Sequence, residues 1–282
     1  MVRNNPVTLK DLEGKMPVLP FTFESEVQRA VKGAIHYMKI ALNILEANDS
    51  AAIAEISDSL YGNHRETTLN AWKEGLKLTI SIASEFHVKR NLNINKEKEW
   101  ASVAHVESQE LSSYRKYYQP VARIKNSDMS KSEMKRSISE VNINYQSERN
   151  EKYLNISKGL FRENVERFGK AHAPTMLIHE FSHAANNTGD YMYAVAFREK
   201  PNEISYSNLH ALQEGTLSDN LKCDYMDYNT DPKKAAMNNA DTFAHASSLL
   251  YFSSKSSGAE SKRYKEFLIQ KERNFARPST SR

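Results

Sequence analysis

Apolar residues recur at spacings of three and four over most of the chain, and a few short stretches alternate instead. The pattern predicts an α+β protein, mostly helical. Val27, Val31, Ile35, Met38, Leu42 and Leu45 form one stripe. Ser25-Glu26-Val27-Gln28 reads as a capping box in front of it, with Ser25 and Gln28 satisfying each other's free backbone N–H groups. His36 and Lys39 fall on the polar side of this helix. Asn48-Asp49-Ser50 ends it and caps a short second helix carrying Ile53, Ile56 and Leu60. Tyr61-Gly62-Asn63 is a turn. A third helix is predicted from Glu66 to about Ser84, with Leu69, Trp72, Leu76, Ile80 and Ala83 as its buried stripe. Core packing accounts for the aromatic and Met residues on these helices.

From Asn91 to Gln119 the periodicity weakens. Trp100 to Val106 and Val121-Ala122-Arg123-Ile124 read as short strands, and Tyr153-Leu154-Asn155-Ile156-Ser157 is the clearest strand, alternating and β-branched at Ile156. Residues 126–150 are dense in Ser, Asn, Lys, Arg and Glu and read as a polar surface insertion, with a helical stretch around Ser132–Glu140. Pro174 suits the first turn of a further helix, which Asn186-Asn187-Thr188-Gly189-Asp190 stops. A loop with Pro201 follows, then a short helix around Ser207–Gln213. Asp231-Pro232 opens a last long helix in which Ala236, Ala240, Phe243, Ser247 and Leu250 share a face. Residues 1–22 are an extended lead-in. Residues 253–282 are a basic polar tail with a helical patch at Tyr264–Arg273. Residues 23–252 are left as one domain, without internal repeat.

Composition narrows the function classes. The 282 residues are 39% hydrophobic and 26% charged, as in ordinary globular chains. No run of about 20 apolar residues could span a membrane. Met1 to Pro20 is polar and broken by prolines, without the apolar core of a Sec signal peptide. The location stays open between the cytosol, a host cell reached by a route that uses no such peptide, and a mature form of an exported protein. The net charge of 39 − 35 = +4 is too weak to imply nucleic acid. Cys223 is the only cysteine, so no internal disulfide forms, which fits a reducing compartment. An incidental buried cysteine explains it better than a catalytic thiol.

One stretch changes the picture. Thr175-Met176-Leu177-Ile178-His179-Glu180-Phe181-Ser182-His183 reads His-Glu-x-x-His within an apolar helical pattern. Residues four apart lie on one helix face, so His179 and His183 can offer two imidazoles to one metal ion. Glu180 is turned by about 100° from His179, toward the water such an ion would hold. This is the arrangement of a zinc hydrolase, with Glu180 as general base. From average composition, a chance match in this length has odds on the order of 1%. A catalytic Zn2+ needs a third protein ligand and an open position. A histidine six residues after His183 is excluded, because that position is Gly189. Two carboxylates remain. Glu214 stands on a later helix, and Asp190 lies seven residues after His183, past a Gly turn that can fold back onto the metal.

Thr188-Gly189-Asp190-Tyr191-Met192-Tyr193-Ala194 resembles the Gly-Thr-x-Asp-x-x-Tyr-Gly element of the aspzincins, the deuterolysin and lysine-specific metalloendopeptidase group. Asn239-Ala240-Asp241-Thr242-Phe243 resembles that family's Asn-Ala-Asp-Ser/Thr-Tyr element. Tyr61-Gly62 and the helix after it resemble its aromatic-Phe-Gly turn. The resemblance covers roughly residues 25–252. It implies a zincin-like fold, Asp190 as third zinc ligand, and Tyr193 as a hydroxyl supporting Asp190 or the developing oxyanion. It implies that Asp241 stands behind the ligands or packs its helix, and that the strand near Leu154–Ser157 is the edge strand that pairs with an extended substrate. Asn187 and Ala194 replace the two flanking glycines, Phe243 replaces the aromatic hydroxyl, and the cysteines of secreted members are missing. Lysine specificity and an extracellular working place are therefore not carried over.

The expected function is a zinc-dependent endopeptidase acting on a protein or peptide substrate. The absence of a signal peptide, the single cysteine and the basic tail suggest a bacterial toxin or effector that cuts a protein inside a target cell. Two alternatives stand beside it: a gluzincin-like peptidase with Glu214 as third ligand, and a binding module on a zincin scaffold that no longer cuts.

Overall fold

The computed structural model describes residues 22–48, 50–95, 104–106, 130, 133, 137, 154–194, 204–216 and 231–275. The strand expected at Val121–Ile124, most of the 126–150 insertion, the Pro201 loop and Cys223 lie outside them. So do all of the lead-in except Thr22 and the last seven residues.

Three long helices open the chain: α1 (Phe23–Ala47), α2 (Ala51–Tyr61) and α3 (Glu66–Glu85). The stripe read from the spacing is the buried face of α1, where Val27, Val31, Met38 and Leu45 are almost fully shielded. The N-cap lies three residues before the expected Ser25. Thr22 is the true N-cap, and its hydroxyl accepts from Ser25 N–H. The reason is Phe23, which is buried edge-on against Phe161 and draws the first turn inward. Asn48 ends α1 in the left-handed conformation, as its position predicts.

A short α4 (Val88–Asn91) leads into β1 (Leu92–Asn95). With β2 (Ala104–Val106) and β3 (Leu154–Ser157) it makes a three-stranded sheet in the order β1-β3-β2. β3 pairs parallel with β1, Leu92 facing Leu154, and antiparallel with β2, Ala104 facing Ile156. The expectation that Leu154–Ser157 is an edge strand is therefore corrected: it is the central strand. Both its edges are hydrogen-bonded, and all four of its residues are buried. An alternating apolar segment identifies a strand but not its neighbours, which come from distant sequence.

After β3 come α5 (Lys158–Phe168), α6 (His172–Asn186), α7 (Tyr206–Glu214), α8 (Pro232–Met237), α9 (Ala240–Ser253) and α10 (Gly258–Gln270), the last continued by a π-helical turn at Lys271–Phe275. The single long helix expected from Asp231-Pro232 is two helices. Asp231 caps α8 by accepting from Lys233 N–H, and Asn239 interrupts the run with extended backbone. α9 is buried on every face from Ala240 to Phe252, so it is the central helix and not an amphipathic one. Its polar residues find partners on neighbouring helices. Ser247 accepts from Trp72 Nε1 at 3.0 Å, and Ser248 shares a hydrogen bond with Thr175 at 2.8 Å. The helical patch expected at Tyr264–Arg273 begins six residues earlier and packs inward through Phe267.

α6 lies among α1, α3 and α9, with β2 and α5 beside it. Its approach to α1 is close: a Cβ at Gly33 would stand 2.7 Å from Pro174 Cγ, so glycine is required there. The helix that carries His-Glu-x-x-His is thus held on most sides. Among the described residues no helix is long and apolar enough to cross a membrane.

Candidate metal centre

α6 delivers two of the side chains by its own geometry. His179 and His183 stand one turn apart, with ring planes at 83° and Nε2 atoms 3.1 Å from each other. The helix stops at Asn187, a left-handed residue whose N–H bonds to His183 O. The chain then folds back so that Asp190 Oδ1 lies 3.0 Å from His179 Nε2 and 3.3 Å from His183 Nε2. Around a tetrahedral ion with ligands at about 2.0–2.1 Å, the ligand atoms stand about 3.3–3.4 Å apart. The three atoms here are close to that spacing, and this group could hold a metal ion.

The outer hydrogen bonds decide which way the imidazoles face. His183 Nδ1 is 2.7 Å from Thr188 O, a carbonyl that can only accept. His179 Nδ1 is 2.6 Å from Asp241 Oδ1, a carboxylate oxygen. Both Nδ1 atoms are therefore donors, and the lone pair of each neutral ring sits on Nε2, aimed at the centre. Asp190 Oδ1 is buried there, facing the two Nε2 atoms. Two lone pairs and a carboxylate oxygen within 3.3 Å repel one another unless a cation lies between them. The site also shields the carboxylates of Glu180 and Asp241, which adds to the demand for positive charge. Without a metal, a proton takes that role. Burial opposes the His179 imidazolium, but hydrogen bonding to Asp190 and Asp241 outweighs it and holds the pKa well above the ordinary value. Burial likewise works against the Asp190 charge, and the two imidazoles beside it more than offset that, keeping its carboxyl far below the usual range.

Glu180 is buried beside this group, and its Oε2 has no hydrogen-bond partner. Burial pushes its carboxyl up, with the neighbouring imidazoles pulling the other way. Tyr193 lays its ring parallel to that of His179, 5.9 Å between centroids. Burial first, and then the charges of Asp190, Asp241 and Glu180, raise the Tyr193 hydroxyl well above its ordinary pKa, so it remains a neutral donor. Glu214 is elsewhere. It is exposed at the end of α7, where its carboxylate accepts from Gln213 Nε2 at 2.7 Å. Of the two carboxylates left open, Asp190 and not Glu214 lies against the two imidazoles.

The resemblance left Asp241 either behind the ligands or packing its helix, and the fold puts its carboxylate behind His179. Its Oδ1 holds His179, and its Oδ2 accepts from Ala194 N–H at 2.7 Å. Burial works against its charge, and the bond to His179 overrides this, keeping the carboxyl below its usual range. Behind it, His245 Nε2 is 4.0 Å from Asp241 Oδ2, and the His172 ring lies 6.0 Å from that of His245. Sequence reading missed both histidines as neighbours of the site. The signal available was His245 four residues after Asp241 on the same helix.

Comparison with protein-family models, with curated proteins and with solved structures gives no match for the chain.

Proposed function

We propose that the protein is a zinc-dependent endopeptidase of the aspzincin type, hydrolysing peptide bonds in a protein substrate. The observation that carries this reading is the triangle of His179 Nε2, His183 Nε2 and Asp190 Oδ1, with both Nδ1 atoms tied away and an unpartnered Glu180 Oε2 beside it. His179, His183 and Asp190 would hold the ion. When bound, zinc supplies a Lewis acid that acidifies a water and polarises the scissile carbonyl.

The chain's own residues do the rest. Glu180 Oε2 takes the proton from the attacking water and later gives it to the leaving amine. Its raised pKa suits it to both steps, since a carboxylate near its ordinary pKa is a weak base at neutral pH. Tyr193, kept protonated, donates to the carbonyl oxygen as negative charge develops there. Burial of the group on α6 keeps competing water away from these charges. The substrate's backbone would pair with β2, which among the described residues is an edge strand of the sheet and packs beside α6, not with β3.

The reading is tested by identifying new protein N-termini made by the zinc-loaded protein and absent with Glu180→Ala. A set of such termini is the expected result. If zinc binds and no termini appear, a binding protein on this scaffold replaces the enzyme.

A further inference from the structure

Asn239 is the N-terminal flanking residue of α9, a place where an asparagine side chain ordinarily caps the helix. Here it makes no such cap. The side chain turns the other way and is fully buried. Its Oδ1 accepts from Tyr191 N–H at 3.0 Å and from Met192 N–H at 3.1 Å. Its Nδ2 donates to Met192 O at 2.9 Å and to Thr242 Oγ1 at 3.0 Å. Both amide hydrogens and both lone pairs are used, so the orientation is fixed. The backbone on either side is joined as well, with Gly189 N–H donating to Asn238 O at 2.7 Å and Ala240 N–H donating to Gly189 O at 2.9 Å.

These bonds bracket Asp190. Gly189 before it and Tyr191 and Met192 after it are all tied to the same turn of chain. We infer that Asn239 is a positioning residue for the third ligand: it fixes the backbone around Asp190 so that the carboxylate faces the two imidazoles before any metal arrives. The break between α8 and α9 thus has a use. A continuous helix would satisfy its own amides and leave the 189–192 segment without a template. The metal part of this inference rests on the zinc reading above. The backbone part does not.

The test is a double-mutant cycle on zinc affinity, measured by chelator competition with the full chain. Asn239→Ala is expected to weaken zinc binding at least about tenfold when Asp190 is present, the size typical of losing an outer partner. In an Asp190→Ala background the same change should alter affinity less than about twofold, because there is no third ligand left to position. Equal losses in both backgrounds, the mark of general structural damage, overturn the inference, as does no loss in the wild type. Should Asn239→Ala fail to fold, Thr242→Val removes only the hydroxyl that orients the amide and should give a loss of about twofold to tenfold, again only with Asp190 present. Amide hydrogen exchange in the metal-free protein separates this inference from the zinc reading. Slow exchange at Tyr191 and Met192, made fast by Asn239→Ala, supports the template even in a protein that takes no zinc. Fast exchange in both proteins overturns it.

Discussion

The two halves of the centre are built by different means. His179, Glu180 and His183 lie within five residues on α6, and the helix repeat alone sets their relative places. Asp190 and Tyr193 lie in the segment after that helix, which has almost no regular structure of its own. Its shape comes from residues nearly 50 positions away, since Asn239 and Asp241 reach it across sequence separations of 47 and 48. A helix face is a local property and survives changes elsewhere. A segment held by remote side chains is only as ordered as those contacts. The half that carries Asp190 is therefore the more easily disabled, although it lies just seven residues from the other.

The sharpest way to break this comparison is to disable chemistry without touching either support. On the proposed endopeptidase reading, Glu180→Gln should lower peptide-bond cleavage by about 10²–10⁴-fold while zinc content measured by mass spectrometry stays near one ion per chain. Loss of the metal instead would mean that the helix half depends on its base.

The next largest effect concerns the histidines behind Asp241. Burial keeps His245 at a pKa of about 4 against the pull of the Asp241 carboxylate, and burial with the neighbouring His245 and Arg263 keeps His172 at about 3. Both lie below the ordinary 6.5, so between these values the unfolded chain binds more protons than the folded one. The stability they contribute is present above pH 6.5 and lost as pH falls toward 4, on the order of 3 kcal/mol for His245 alone. Urea unfolding at pH 7 and pH 4.5 should show this, with a shallower pH dependence in His245→Gln. An equal slope in the variant would remove His245 from the account.

Asp241→Asn strikes both halves at once, since Asp241 holds His179 and Ala194 together. It should weaken zinc binding about 10–100-fold. A variant that binds zinc as tightly as the wild type would show that the loop and the helix keep their places without it. The smallest effect is a control. Thr22→Ala removes the α1 cap, a hydrogen bond from Ser25 N–H, and should cost about 1 kcal/mol in unfolding experiments without altering zinc affinity.

Much of the helical framework can be read from spacing, because burying one face of a helix imposes a repeat on the sequence. The stripes of α1, α2 and α3 show it, and so does the stop after α6 at Asn187. The failures share a cause. Ser25 resembled a cap, but the burial of Phe23 moved the helix start to Thr22. The run from Pro232 looked continuous, but Asn239 forms hydrogen bonds across the fold that break it. β3 was visible as a strand, while its central place depends on β1 and β2, which lie roughly 50 to 60 residues earlier.

For the centre itself, sequence alone determined the two imidazoles and the carboxylate between them, because four residues make close to one helical turn whatever surrounds the helix. Only the tertiary structure decided that Asp190 and not Glu214 meets those imidazoles, that Asp241 and Thr188 turn their lone pairs inward, and that Asn239 holds the returning segment. Those outcomes depend on hydrogen bonds between elements that come together only when the core closes, and no spacing along the chain records them.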